Sequence, residues 1–73
     1  MKLAQFMKLH NLTDAKLAKL IGVEPMAVNN YRHERKKPRP DIAVKIEIVT
    51  DGDVTVRDLR PDLASIFGGK EGV

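Results

Sequence analysis

Five cations crowd the middle of the 73-residue chain: Arg32, Arg35, Lys36, Lys37 and Arg39. Arg and Lys form charge-assisted hydrogen bonds to anionic oxygens, and a chain of phosphates engages several such cations at once. Directly ahead of this cluster lies VEPMAVNNYRH, residues 23–33. At helical spacing its Met26, Asn29, Asn30 and His33 share one side, opposite Val28 and Tyr31.

The charge is unevenly spread. Residues 1–45 carry ten Lys and Arg against four acids, a net of +6, and residues 46–73 carry three bases against six acids, a net of −3. The N-terminal part can face a polyanion and the C-terminal part cannot. Charge alone leaves open that the bases merely solubilise a small helical protein.

The elements that must position these residues are two helices and a tight turn, read from DAKLAKLIGVEPMAVNNYRH, residues 14–33. Leu17, Ala18 and Ile21 lie on one face of the first. Ala18 is the small residue that two crossing helices require, and Gly22 supplies a turn that only glycine makes without strain. Pro25 can open the second helix, a place where proline loses nothing. Val28 and Tyr31 face inward there, Tyr31 as core in preference to a base-stacking ring. This helix-turn-helix followed by a basic run reads as a DNA-binding module.

The remaining chain predicts three more helices. The first spans about residues 2–10, with Leu3 and Phe6 in the core and Met7 and His10 extending the stripe, and Asn11 can close it in a left-handed conformation. Thr13 caps the second helix; Lys16 stands where a capping box needs Glu or Gln. Ile42, Val44, Ile46, Ile48 and Val49 are compatible with a strand, but Pro40-Asp41 is a helix start and Ala43, Ile46 and Val49 keep a three-residue spacing. Asp51-Gly52 ends that helix. Thr55 caps a short one over 56–59, Pro61 breaks it, and 62–67 form a last short segment. The expected domain is 1–67, with 68–73 a disordered tail.

Several function classes are not expected. A chain of this size buries only about 60% of its unfolded surface, leaving no room for a walled catalytic cleft. Cysteine is absent, and His10 and His33 stand far apart, so no metal is expected. Asp51-Gly52-Asp53 falls short of a calcium loop, no glycine-rich phosphate loop occurs, and Ser65 has no histidine near it in sequence. The expectation is no enzyme, no cofactor and no small-molecule ligand. No apolar run approaches the roughly 20 residues of a membrane span, and the N-terminus is too polar for a signal peptide, so a cytoplasmic location is expected.

LTDAKLAKLIGVEPMAVNNYRHERKKPRP, residues 12–40, resembles the Cro/CI-type helix-turn-helix of phage and bacterial repressors. IEIVTDGDVTVRDLRPDLASIF, residues 46–67, is similar to the ending of all-helical Cro proteins and their YdaS-type relatives. The resemblance implies an all-α, five-helix, lambda-repressor-like domain that represses transcription by occupying a near-palindromic operator, commonly as a homodimer. It implies base reading by Met26, Asn29 and Asn30. Phosphate contacts fall to Arg32, Arg35, Lys36, Lys37 and Arg39, with Thr13 and Lys16 secondary. His33 suits either a backbone contact or an interaction with the last carbonyls of its helix. Two common family contacts are lost: Pro25 and Asp14 stand where glutamines often touch DNA. Leu59, Leu63, Ile66 and Phe67 are dimer candidates, or pack on the monomer's own core. Two alternatives remain, an antitoxin-like regulator of YdaS type and a helical adaptor for a protein partner.

Overall fold

The structure, a computed structural model, describes residues 1–62. These form five helices and no strand: α1 Leu3–Leu9, α2 Asp14–Ile21, α3 Pro25–Arg32, α4 Pro40–Val49 and α5 Val56–Leu59. Leu63, Ile66, Phe67 and the 68–73 tail lie outside the described residues.

Local chemistry sets most of the helix starts. The Thr13 hydroxyl accepts the Lys16 backbone N–H at 3.2 Å, half of a capping box. α3 and α4 each begin on a proline, Pro25 and Pro40, behind the extended residues Glu24 and Arg39. α5 has a full capping box: Thr55 Oγ1 accepts from the Asp58 N–H, and Asp58 Oδ2 accepts from the Thr55 N–H. The chain's terminal ammonium lies 2.8 Å from the same Asp58 oxygen. Partial burial opposes ionisation of Asp58, but these bonds outweigh it and lower its pKa.

The first four helices all stop the same way, on a left-handed residue: Asn11 (φ 51°), Gly22 (75°), Glu34 (59°) and Asp51 (54°). The residue after each sends its N–H back to the helix. Leu12 donates to Met7, Val23 to Ala18, Arg35 to Asn30 and Gly52 to Glu47, at 2.8–3.0 Å. These bonds satisfy carbonyls that a helix end would otherwise leave open.

The core joins Leu3, Phe6 and Met7 of α1, Leu17, Ala18 and Ile21 of α2, Val28 of α3, Ile42 and Ile46 of α4, and Val54. Tyr31, Leu12, Val23 and Leu59 are half-buried against it. α2 and α3 make the most extensive helix contact. The expectation for Val49 is corrected: Ala43 and Ile46 face inward, but Ile42 joins them and Val49 is exposed. His10 is also exposed, although its ring lies 4.3 Å from that of Phe6. Thr50 is the buried polar residue beneath α4; its hydroxyl donates to the Ile46 carbonyl at 2.8 Å and accepts the Val54 N–H at 3.1 Å.

Glu34 gains little from its position. Left-handed backbone costs a residue with a Cβ about 1–2 kcal/mol. Its carboxylate is 3.4 Å from Lys2 Nζ, but both side chains are about three-quarters exposed, where ion pairs are weak. Glu34→Gly is expected to raise stability by about 0.5–1 kcal/mol, after the added flexibility of the unfolded chain. A urea midpoint unchanged or lowered by the substitution would contradict that expectation.

Candidate functional site

α3 packs against α2, and its outward side is tied to α2 through Asp14, which bonds Asn29 and Arg32. Pro25 starts it, Val28 anchors it at 0% exposure, and Tyr31 packs half-buried at its far end. The outward side holds Met26, which is 69% exposed, and Asn29 and Asn30, both half-buried. His33 is exposed, and its backbone N–H donates to the Asn29 carbonyl at 3.2 Å. The named interior residues are placed as their spacing requires: Leu17, Ala18, Ile21 and Val28 are buried, and Gly22 carries the turn.

The polar residues of this surface are bound to one another. Arg32 Nε donates to Asp14 Oδ1 at 2.7 Å and its Nη2 to Oδ2 at 3.4 Å. Asn29 Nδ2 donates to Asp14 Oδ2 at 3.2 Å. Arg35 closes the far side, with Nη2 donating to Asn29 Oδ1 and Nε to Asn30 Oδ1, the latter at 3.1 Å. One carboxylate therefore organises two residues that the sequence reading had facing DNA. Asp14 and Arg32 side chains are 24% and 32% exposed, so the pair is substantially shielded from water. The Arg32 hydrogen bond is the main cause that holds the Asp14 carboxyl below its usual pKa; burial pushes the other way, and Asn29 assists Arg32.

The basic segment behind α3 is braced from the C-terminal side. Pro38 is buried, and its carbonyl accepts from Arg60 Nη1 at 3.0 Å. Arg60 also holds Asp62 with two bonds, at 3.0 and 2.7 Å, which pushes the Asp62 carboxyl down to about 2 and raises Arg60. Lys37 Nζ reaches Asp62 at 3.9 Å and Arg39 reaches Asp41 at 3.4 Å, both on the exposed surface. Lys16, Lys36, Lys37 and Arg39 all face solvent.

A shallow groove of about 700 Å³ runs beside α2's first turn, lined by Lys8, Asn11, Thr13, Asp14 and Arg32 among others. A helix N-terminus favours anions, but here Asp14 supplies the negative charge itself. Leu59, a dimer candidate, is half-buried against the core of its own chain. Asp14 and Arg60 are the organising residues that the sequence reading missed. Neither has a local signal: Asp14 lies 18 residues from Arg32, and Arg60 lies 22 from Pro38.

Residues 13–66 match the family model described as bacterial toxin YdaS. The chain belongs to the YdaS family. The matched segment begins at the cap of α2 and takes in the whole α2–α3 surface, the basic segment and α5. No curated protein and no solved structure matches this YdaS-family chain. The family's description names a toxin, whereas the resemblance implies a Cro-type repressor with an antitoxin-like regulator as an alternative. Among the described residues, no helix is long and apolar enough to cross a membrane.

Because the folded pKa of Asp14 lies below its unfolded value, its contribution to stability is complete above the ordinary Asp value of about 3.9. That contribution disappears as pH falls through the depressed folded pKa. Arg32→Gln removes the largest cause and is expected to return Asp14 toward its ordinary titration. NMR of the Asp14 carboxyl carbon reads this directly; identical titration in both chains would show that Arg32 is not the cause.

Proposed function

We propose that this YdaS-family chain is a sequence-specific DNA-binding regulator, a repressor of Cro type. In this reading α2 and α3 are a helix-turn-helix in a lambda-repressor-like fold, and α3 enters the major groove with its N-terminal part toward the bases. The observation that carries it is that Asn29 and Asn30 bond Arg35 on the outward side of α3, where Met26 is exposed one turn earlier, and the exposed Lys36, Lys37 and Arg39 follow. Amides can form paired hydrogen bonds with base edges, an exposed methionine can meet a thymine methyl, and the cations suit flanking phosphates. His33, Thr13 and Lys16 are secondary backbone contacts. No catalysis, cofactor or small ligand is needed, since occupancy of an operator blocks polymerase in the host cytoplasm.

The internal ion pair refines this assignment. Arg32 is committed to Asp14, so Arg35, Lys36, Lys37 and Arg39 are the main phosphate anchors. One short helix reads few base pairs, so a homodimer on half-sites about 34 Å apart supplies the specificity. Leu59 and the candidates Leu63, Ile66 and Phe67 beyond the described residues are the proposed dimer contacts. The family's toxin description fits a regulator whose unbalanced repression harms its host.

A second reading, a helical adaptor for a protein partner, is favoured by one feature. Val44 and Ile48, one turn apart on α4, are 47% and 71% exposed. Salt separates the two readings. Binding through about six phosphate contacts weakens about a thousandfold or more between 50 and 200 mM salt, and an apolar interface does not.

A footprint on the DNA upstream of the chain's own gene is expected to show a protected, near-palindromic site; the absence of protection there and on selected random duplexes would overturn the proposal. Asn30→Ala is expected to weaken the cognate site by roughly 1–3 kcal/mol and relax one base position, whereas equal weakening on every sequence would remove it as a reader. Lys36→Ala combined with Lys37→Ala is expected to flatten the salt slope by about 2, roughly 1 for each lost contact. An unaltered slope would take this segment out of the interface.

A further inference from the structure

We infer that Asp14 is a positioning residue for sequence discrimination, one that fixes which end of the Asn29 amide meets the DNA and withholds Arg32 from the phosphates. This rests on the DNA-binding reading above and goes beyond it in naming the class of base recognised.

The orientation of Asn29 is doubly determined. A carboxylate only accepts hydrogen bonds and a guanidinium only donates them. Asn29 lies between one of each: its Nδ2 meets Asp14 Oδ2 at 3.2 Å, and its Oδ1 meets Arg35 Nη2. Turning the amide over would set oxygen against carboxylate and NH₂ against guanidinium. Asp14 is itself held at both oxygens by Arg32, so the carboxylate cannot easily swing away.

The two arginines differ in what binding DNA asks of them. Arg35 is exposed, and its partners here are neutral amide oxygens. A phosphate offers it a fully charged acceptor in the paired geometry that a guanidinium favours, so Arg35 transfers to the backbone. Its departure uncovers Asn29 Oδ1 while Asp14 keeps Nδ2. Arg32 already has an anionic partner in a substantially shielded pair, so it stays. The surface therefore meets the groove with an oriented acceptor at position 29. The base edge that satisfies an acceptor is an exocyclic amino group, adenine N6 or cytosine N4; guanine O6 and thymine O4 would oppose it oxygen to oxygen.

The test is equilibrium binding of the full chain to a selected duplex, to single-base variants of it and to unrelated duplexes, across a salt series. Wild type is expected to prefer A or C over G or T at one base step by roughly tenfold or more. Asp14→Asn, which can pair with either end of Asn29 and frees Arg32, is expected to lose that preference. It should also bind unrelated duplexes more tightly, with a salt slope steeper by about 1. Asp14→Glu keeps the charge and is expected to keep the preference and slope. A merely structural role would weaken all duplexes together and leave the slope alone, and that result overturns the inference. So does an Asp14→Asn chain with wild-type preference and slope. Circular dichroism verifies the fold, and Asp14→Ser replaces the Asn variant should the latter fail to fold, with the same outcomes expected. Wild type that binds no duplex brings down the DNA-binding reading itself; wild type that discriminates while its Asp14 variants do so equally brings down only the role of Asp14.

Discussion

The carbonyl of Ala18 accepts the backbone N–H of both Gly22 and Val23, at 2.8 and 3.0 Å. That shared oxygen ends α2 and turns the chain into α3. It works only because Gly22 holds φ at 75°, where a side chain would be strained. The packing follows from this turn. Leu17, Ile21 and Val28 become almost fully buried, and α2 and α3 make the closest partnership in the molecule. The placement of Asp14 beside Asn29 and Arg32 depends on it as well, because these residues sit on different helices and meet only if the turn is tight.

Much of this was legible in the sequence, because helix punctuation acts over three or four residues. Thr13 and Thr55 bond the N–H groups of their own first turns, Gly22 takes the left-handed conformation that stops α2, and Pro25 and Pro40 start their helices by their fixed φ. The burial of Leu17, Ala18, Ile21 and Val28 follows from period alone. α4 was harder. Its β-branched residues face both ways, since Ile42 and Ile46 are buried while Val44 and Ile48 are exposed, so the pattern resembled a strand. Pro40-Asp41 and the spacing of Ala43, Ile46 and Val49 decided between them, and of that spacing only Ala43 and Ile46 are buried. Glu34 gave no sign that it would take a left-handed conformation, for nothing in its chemistry favours one.

The candidate surface was legible as a set of residues but not as a network. Asn29 and Asn30 could be grouped by helical spacing, and Arg35 follows them closely in the basic run. Asp14 could not join them by that rule. From the sequence it looked like a misplaced charge in a family position that often holds glutamine. In three dimensions it is the counter-ion of Arg32 and the acceptor for Asn29. The net of +6 over residues 1–45 already sets Asp14 against Arg32. What folding adds is that the two charges meet, so Arg32 is engaged inside the surface and the exposed cations lie in the segment that Arg60 braces through the Pro38 carbonyl.

Two of the five helices begin on a pyrrolidine ring rather than on a side-chain cap: neither Glu24 nor Arg39 caps its helix with a side-chain bond. The benefit of these rings is absent from any inventory of contacts in the native fold. A fixed φ at Pro25 and Pro40 thins the denatured ensemble, so less freedom is lost on ordering α3 and α4, by about 0.4–1 kcal/mol at each. A short chain with a small core thereby gains stability from what its unfolded form cannot do. The same rings carry no N–H, so the first turns of α3 and α4 have fewer amides to offer an anion.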